Sequence, residues 1–260
     1  MSDPAIQISK LSLSLSGKAI LRDVSLDVRA GEFVSIIGPN GAGKTSLVKC
    51  VSRIHQDWSG EVRINGRDLR HCSQKELARQ LSYVPQAEGR RLPFTAFEFV
   101  LMGRYPHLSP FSSVTAADKE LVREMMALAG VEGFADRSLE SLSGGERQMV
   151  FIAAALAQGG SMLLLDEPAS FLDYKHQMQV MELTGKLHRD QGLTIVCVSH
   201  DVNAACAQSD RVLAMKHGEV EFVGTPAEVL EEGRLEELYE TTFDRIAGDP
   251  LPFITPGRMK

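Results

Sequence analysis

A glycine-rich run near the start of the chain has the residue types and spacing of a phosphate-binding loop. It satisfies G-x-x-x-x-G-K-[ST] and comprises Gly38, Pro39, Asn40, Gly41, Ala42, Gly43, Lys44 and Thr45, with Ser46 following. Gly41 and Gly43 allow the backbone to curl so that successive N–H groups face phosphate oxygens. Lys44 supplies a compact charge for the β and γ phosphates, and the Thr45 hydroxyl can complete a magnesium shell. The alternative is a glycine-rich turn with a surface lysine.

Two adjacent carboxylates end an apolar run in the second half of the chain. Residues 162–165 are followed by Asp166, Glu167 and Pro168. In a parallel sheet, ligands collect at the edge where such strands end. There Asp166 can hold magnesium through water, and Glu167 can orient or deprotonate a water that attacks a phosphoryl group. The alternative is a pair of solvated acids before a proline.

A second glycine-containing turn precedes a helical pattern at 149–158. Ser143, Gly144 and Gly145 lie in this turn, and the N-terminus of a helix is suited to binding anions. A single nucleotide has no evident use for two such loops of the same chain. The second loop therefore suggests a nucleotide that is held by another subunit.

The elements that must position these residues begin with antiparallel strands. Residues 6–15 and 20–28 alternate apolar and polar side chains with a period of two, which predicts an antiparallel meander. The apolar run at 33–37 is too short for a helix and leads through the glycine loop into a helical pattern at 45–51. Strand, loop and helix thus come in the order that phosphate binding requires.

Two later apolar runs predict a mainly parallel sheet. Residues 162–165 and 193–198 have no polar face, and they flank a helical pattern at 174–190 that ends before Gly192. Together they predict a βαβ unit. A two-residue hairpin signal, His217-Gly218, separates two further strand-like segments.

The middle of the chain predicts a helical insertion at about 87–160. Few strand formers occur there, and a helix after Thr115 places Leu121, Met125 and Leu128 on one face. The predicted fold class is α/β, a P-loop NTPase core with a mainly parallel sheet, an N-terminal antiparallel β meander and this helical insertion subdomain. Residues 1–232 are predicted to form this domain and 233–260 a C-terminal tail, of which the proline-rich end, 250–260, is expected to be extended.

Composition excludes several functions. The 260 residues carry 28 Lys and Arg against 34 Asp and Glu, a net charge of −6, which gives no support for general binding to nucleic acid or anionic lipid. The four cysteines have no CxxC spacing, so neither a disulfide framework nor a zinc cluster is expected. No run of eighteen apolar residues occurs, and the first ten residues lack the features of a secretory signal.

The LSGGE turn, the phosphate loop and the LLLLDEP strand together resemble the ATP-binding cassette, the nucleotide-binding subunit of ABC transporters. The resemblance covers about residues 5–232. It implies that Gln86 senses magnesium and water, that Asp173 contacts a second subunit, and that His200 bonds the γ-phosphate. It also implies a head-to-tail homodimer around two ATP molecules, in which the phosphate loop of one copy faces Ser143 and Gly145 of the other. Mg²⁺ is then expected at Thr45, Gln86 and Asp166.

Three further segments are similar to those of importers for iron-siderophore complexes, haem and cobalamin. They are the GRYPH segment at 103–107, the LDYKHQ segment at 172–177 and the PFITP segment at 252–256. This resemblance implies an ATPase that drives a separate transmembrane permease, on the cytoplasmic face of the bacterial inner membrane, with a periplasmic or surface substrate-binding protein as an indirect partner. A subunit for another solute, an exporter subunit and a soluble cassette protein are the alternatives.

Aromatic side chains are concentrated in the predicted insertion, where we expect them to be exposed; they are Phe94, Phe97, Phe99, Tyr105 and Phe111. They either form a groove for a cytoplasmic helix of the permease or fill the core of the insertion. Arg90 and Arg91 are either partner contacts or a solvated pair. Members of the family commonly have an aromatic ring about where Leu15 lies; its absence here predicts that adenine packs on aliphatic side chains.

Overall fold

The computed structural model describes residues 4–86, 92–109, 113–248 and 250–257. Its contacts divide the chain into two units, Met1–Cys72 with Gly192–Lys260, and Ser73–Gln191. The strands are β1 (Ile6–Leu15), β2 (Lys18–Val28), β3 (Phe33–Ile37), β4 (Trp58–Ile64), β5 (Arg67–Asp68), β6 (Leu81–Val84), β7 (Met162–Asp166), β8 (Thr194–Val198), β9 (Arg211–Lys216), β10 (Glu219–Gly224), β11 (Phe243–Ile246) and β12 (Phe253–Pro256). The helices are α1 (Lys44–Val51), α2 (Gln74–Ala78), α3 (Ala96–Met102), α4 (Ala116–Leu128), α5 (Gly144–Ala157), α6 (Tyr174–Gln191), α7 (Val202–Gln208), α8 (Pro226–Val229) and α9 (Arg234–Tyr239). Within the described ranges, no helix has the length and apolar character needed to cross a membrane.

The first unit contains an antiparallel sheet with the strand order β2-β1-β4-β5. Ile8 of β1 lies opposite Leu26 of β2 on one side and Val62 of β4 on the other, and all three are buried. The predicted N-terminal antiparallel strands are therefore confirmed. Their spatial order does not follow the chain, because β3 leaves for a different sheet and β4 returns to the free edge of β1.

Three other strands of the first unit form a sheet with β3. Strand β3 is parallel to both β8 and β9, and β10 pairs with β9 in an antiparallel hairpin. All five residues of β3 are buried, as expected of a strand that is covered on both faces. His217 (φ 51°) and Gly218 (φ 85°) form the turn of the hairpin. Positive φ at both positions is the type I′ geometry that favours glycine there, so this hairpin prediction is confirmed.

The C-terminal part of the first unit holds more structure than an extended tail. Strands β11 and β12 pair as an antiparallel hairpin after α9. The guanidinium of Arg245 in β11 makes two hydrogen bonds to the Glu236 carboxylate of α9, of 2.7 and 3.1 Å. Its Nε also donates to the Leu230 carbonyl at 2.8 Å. This ion pair joins two residues nine positions apart in neighbouring elements, and helix and strand propensities do not predict such a pairing.

The second unit contains the parallel strands β6 and β7 and the three insertion helices α3, α4 and α5. The helix predicted after Thr115 is confirmed as α4, with a capping box formed by Thr115 and Asp118. The predicted apolar face is wrong by one position: Val122 and Met126 are buried, whereas Leu121, Met125 and Leu128 are half-buried. Asp118, one turn before Val122 on the same face, pairs with Arg104 at 3.0 Å.

The aromatic side chains of the insertion are mostly not exposed, contrary to expectation. Phe94, Phe97 and Phe99 are half-buried. The Phe99 ring packs on Phe151 of α5 with centroids 4.8 Å apart, and Arg123 lies over Phe97 at 5.7 Å. Tyr105, in contrast, is 77% exposed. Phe111, Arg90 and Arg91 lie outside the described residues.

The GRYPH segment anchors the end of α5. Arg104 donates to the Asp118 carboxylate at 3.0 Å and to the Ala157 carbonyl at 2.8 Å. The His107 ring is 2.8 Å from the Gln158 carbonyl. A Cβ on Gly103 would lie 2.3 Å from the backbone oxygen of Ala154. Three residues of this segment thus have a structural role inside the insertion.

Candidate active site

The phosphate loop connects β3 to α1 in the first unit, as the sequence predicts. Gly38 (φ 142°) and Gly43 (φ 96°) have conformations that side chains rarely adopt. A Cβ on Gly38 would lie 2.0 Å from the Met215 carbonyl oxygen, and one on Gly43 would lie 2.7 Å from the Leu21 side chain. Close packing against β9 therefore requires glycine at position 38, and close packing against β2 requires it at position 43, whatever ligand the loop binds.

Lys44 is buried, although it carries a charge. Its Nζ donates to the carbonyl oxygens of Gly38 at 2.7 Å and Pro39 at 3.0 Å, and only 6% of the residue is exposed. Two carbonyl groups of the loop therefore hold the ammonium group of its own lysine. Of the other predicted loop residues, Ala42 is buried, Asn40 and Gly41 are exposed, and the rest are half-buried, namely Pro39, Gly43, Thr45 and Ser46.

His200 follows the strand next to the one that carries the loop. Ile36 of β3 lies beside Val198 of β8 in parallel register, and the Ser199 N–H donates to the Ile36 carbonyl at 3.0 Å. Gly38 comes two residues after Ile36, and His200 comes two residues after Val198, the partner of Ile36. Because parallel strands end at the same edge, the histidine and the phosphate loop lie at one edge of the first unit.

The second unit brings Gln86 and Glu167 together by the same principle. Val84 of β6 is in register with Leu165 of β7, and each of the two polar residues comes two positions later. Gln86 Nε2 donates to Glu167 Oε2 at 3.1 Å. The Ser170 hydroxyl donates to the same oxygen at 2.9 Å. Two donors thus fix one oxygen of the carboxylate that the sequence indicates for catalysis.

Asp166 and Glu167 have different surroundings. Asp166 is 1% exposed and accepts a hydrogen bond from the Tyr83 hydroxyl at 3.1 Å. Glu167 is half-buried, and its φ of 50° is unusual for a residue with a side chain. Left-handed backbone at a non-glycine residue is found disproportionately at functional sites.

The LSGGE turn is the start of α5, which begins five residues earlier than predicted. The Ser143 hydroxyl accepts from the Glu146 N–H at 3.2 Å, and the Glu146 carboxylate accepts from the Ser143 N–H at 2.7 Å. These hydrogen bonds lower the pKa of Glu146. The S-x-x-E spacing of a capping box is present in the sequence and could have identified this helix start. Ser143 and Gly144 are exposed at the helix end, whereas Gly145 is buried.

His176 joins the LSGGE turn to Asp173. A Cβ on Gly145 would lie 2.2 Å from the His176 ring. The ring Nδ1 and the backbone N of His176 are 2.7 and 2.9 Å from Asp173 Oδ1, and these hydrogen bonds lower the pKa of Asp173. Sequence reasoning missed this role of His176, as it missed Ser170 and Tyr83 as partners of the two acids. His176 belongs to the LDYKHQ segment, and Tyr83 and Ser170 each lie three residues before a predicted site residue, Gln86 and Asp173.

The predicted site residues thus form two groups. The phosphate loop and His200 belong to the first unit; Gln86, Ser143, Asp166, Glu167 and Asp173 belong to the second. In the part of the chain that the structure describes, no three His, Cys, Asp or Glu side chains cluster as a metal site would require. The four cysteines are free, and burial raises the pKa of the Cys50 and Cys206 thiols to about 12.

Comparison with known proteins identifies the family. A family model described as ABC transporter matches residues 21–170. The chain is 37% identical to a petrobactin import ATP-binding protein of Bacillus anthracis over 254 residues, covering 98% of this chain and 93% of that protein. It is 35% identical to an iron(3+)-hydroxamate import ATP-binding protein of Bacillus subtilis strain 168, covering 95% and 91%. It is also 35% identical to a ferric enterobactin transport ATP-binding protein of Escherichia coli K12, covering 93% and 91%.

Solved structures agree at the level of the fold. A chain of an inward-facing ABC transporter superposes with a TM-score of 0.84 at 23% identity, over 98% of both chains. A dimeric ATP-binding cassette in a post-hydrolysis state, bound to ADP and Pi, gives a TM-score of 0.74 at 29% identity, over 85% of this chain and 98% of that one. The predicted α/β fold class is therefore confirmed. Because the family model matches more than half of the chain and the relatives match nearly all of it, the chain belongs to the ATP-binding subunits of ABC transporters.

Proposed function

We propose that this chain hydrolyses ATP to drive the import of an iron chelate of the siderophore type. The observation that carries the proposal is the match, over more than nine-tenths of both partners, to relatives named for petrobactin, hydroxamate and enterobactin transport.

In the proposed reaction, Glu167 acts on water. The carboxylate accepts a proton from a water molecule as the water oxygen attacks the γ-phosphorus of ATP, and ADP leaves with the electron pair of the broken P–O bond. Gln86 and Ser170 hold the carboxylate oxygen that they contact. Lys44 and the phosphate-loop N–H groups stabilise the charge on the phosphates, and His200 donates to the γ-phosphate.

The donor types of the predicted ligands suit a magnesium ion. Thr45 supplies a hydroxyl oxygen, Asp166 a buried carboxylate and Gln86 an amide oxygen, and oxygen ligands of this kind suit a hard cation. When bound, the ion would neutralise charge on the β and γ phosphates.

The working unit is proposed to be a homodimer bound to a permease. Each nucleotide lies on the phosphate loop of one copy and contacts Ser143 and Gly145 of the other, and Asp173 contacts the second copy. ATP shifts the equilibrium between the open and closed dimer only to the extent that it binds the two forms with different affinity. The dimer stands on the cytoplasmic face of the membrane, and an external binding protein delivers the chelate to the permease.

The proposal is tested by reconstituting the chain with candidate permeases in proteoliposomes. Binding proteins loaded with petrobactin, a ferric hydroxamate, ferric enterobactin, haem or cobalamin are added in parallel, and ATPase activity is measured. Stimulation by one iron-siderophore complex is expected. Stimulation only by haem, cobalamin or a chelate-free solute would contradict the assignment to iron-siderophore import.

A further inference from the structure

The C-terminal part of the chain reaches the phosphate loop. The phenolic oxygen of Tyr239, the last residue of α9, accepts a hydrogen bond from the backbone N–H of Gly38 at 3.2 Å. The carbonyl of the same glycine accepts from Lys44 Nζ at 2.7 Å. Gly38 is buried, so its N–H is held by the C-terminal part of the chain and its carbonyl by the lysine of the loop.

Tyr239 is itself firmly seated. Its ring makes an edge contact with Phe243 of β11, with centroids 5.9 Å apart. Both rings pack against a buried apolar cluster that includes Ile37, the residue before Gly38. Burial raises the pKa of the Tyr239 hydroxyl to about 12. The hydroxyl is therefore neutral over the working pH range and can accept the Gly38 N–H throughout it.

The same C-terminal elements also contact the helix that follows His200. Asn203 of α7 donates from Nδ2 to the Ile254 carbonyl of β12 at 2.9 Å, and its Oδ1 accepts from the Ile254 N–H at 2.8 Å. Asp201, next to His200, caps α7 by accepting from the Ala204 N–H. The elements α9, β11 and β12 thus contact both the phosphate loop and the helix behind His200.

We infer that Tyr239 is a positioning residue for ATP binding, which holds the Gly38 backbone so that Lys44 and the loop amides keep their orientation. The inference rests on the proposed use of this loop for ATP. Without the phenolic oxygen, the buried Gly38 N–H loses its acceptor. An unpaired buried donor is unfavourable, so a backbone rotation that gives this N–H a new acceptor becomes favourable. Rotation of the backbone at Gly38 also turns the carbonyl that accepts from Lys44. The affinity for nucleotide is therefore expected to fall.

The test compares Tyr239→Phe with Tyr105→Phe, which removes a hydroxyl from a ring that is 77% exposed. Magnesium and ATP are used in the assay, with the full chain. For Tyr239→Phe, the KM for ATP is expected to rise about 3- to 10-fold while kcat stays within about twofold. ADP affinity measured by calorimetry falls by a similar factor, and the Gly38 amide exchanges its hydrogen faster. Tyr105→Phe leaves all of these quantities unchanged.

The outcomes separate this inference from the proposed function. If the wild type hydrolyses ATP and Tyr239→Phe has an unchanged KM and ADP affinity, the inference is wrong and the proposed function stands. A lower kcat and a lower melting temperature at unchanged KM would show a purely structural role, which also overturns it. A wild type that neither binds nor hydrolyses ATP overturns the proposed function itself.

A second variant provides an independent test if Tyr239→Phe does not fold. Phe243→Leu leaves the hydroxyl in place and removes the ring edge that orients it. Its KM for ATP is expected to rise about twofold, a smaller effect than loss of the acceptor. An unchanged KM in Phe243→Leu together with unchanged Gly38 amide exchange would contradict the inference.

Discussion

At the scale of single residues, the carboxylate of Glu167 carries the proposed chemistry. Neighbouring parallel strands deliver Gln86 to it, and Ser170 reaches it from the turn that follows β7. The sequence could predict Glu167 because an acid after a buried strand is a local pattern. It could not predict Ser170 or Tyr83 as partners, because their contacts depend on turn geometry and on strand register.

Replacing Glu167 by Gln is expected to lower the ATPase kcat at least about 100-fold, the usual contribution of a positioned general base. ATP affinity should remain, because the amide is nearly isosteric with the carboxylate and the phosphate loop is intact. Steady-state ATPase assays and nucleotide titration measure the two quantities. Glu221→Gln, at an exposed position of β10, is the matched control. Full turnover in Glu167→Gln would remove this residue from the catalytic role.

Ser170→Ala tests the hydrogen bond that sequence reasoning missed. Removal of this donor loosens the orientation of the Glu167 carboxylate, so kcat is expected to fall about 3- to 10-fold with the KM for ATP little changed. The double variant Ser170→Ala, Glu167→Gln should be no slower than Glu167→Gln alone. Additive losses in the double variant would show that the serine acts elsewhere.

At the scale of elements, the LSGGE turn and the Asp173 turn are coupled through His176. The close approach of the His176 ring to Gly145 leaves no room for a methyl group. Local sequence patterns predicted α4, α6 and the β9–β10 hairpin, since periodicity, capping and turn residues are local. The His176 contact was not predicted because Gly145 and His176 lie far apart in the sequence. The β11–β12 hairpin was not predicted because the end of the chain was interpreted from its proline content.

A double-mutant cycle measures this coupling. Gly145→Ala is expected to lower the free energy of unfolding by about 1–3 kcal/mol through overpacking. In the His176→Ala background the ring is absent, so the same substitution should cost much less, with a coupling energy of at least about 0.5 kcal/mol. Urea unfolding gives both values, and Gly144→Ala, where no atom lies within 4 Å, is the control. Equal costs in both backgrounds would refute the steric account.

The hairpin at the C-terminal end should confer acid sensitivity. Hydrogen bonds from Arg245 lower the pKa of Glu236 from 4.5 to about 2. A carboxylate with a lowered pKa in the folded protein contributes stability above pH 4.5 and loses it as the pH falls toward 2. Glu236→Gln should therefore cost about 1–2 kcal/mol at pH 7, and the difference from wild type should shrink below pH 4.5. Glu237→Gln, at the exposed neighbouring position, should show no such pH dependence in urea unfolding.

At the scale of the whole molecule, the proposed function uses two helix starts for anion binding, and one nucleotide does not need both. Gly43 precedes α1 in the first unit, and Ser143 caps α5 in the second. The proposed homodimer would give each start a use, because the nucleotide on one copy would contact Ser143 and Gly145 of the other. The dimeric relative bound to ADP and Pi is consistent with this assembly.

Ser143→Arg should prevent dimer closure while each copy still binds ATP, because a bulky cation replaces a small hydroxyl at the proposed contact. The variant also loses a helix cap, which costs about 1 kcal/mol. Ser73→Arg is matched for that loss, since Ser73 forms an equivalent capping box at α2. Ser73→Arg should dimerise normally; failure of both variants would point to lost stability instead of a lost contact.

The most direct test of the account is the mass of Glu167→Gln in solution, measured by light scattering with and without ATP and magnesium. The account predicts a mass near the 28.5 kDa of one chain without nucleotide and twice that mass with ATP, with the increase abolished by adding Ser143→Arg. A single chain that remains monomeric with ATP bound, while the wild type hydrolyses ATP at full rate as a monomer, would contradict it.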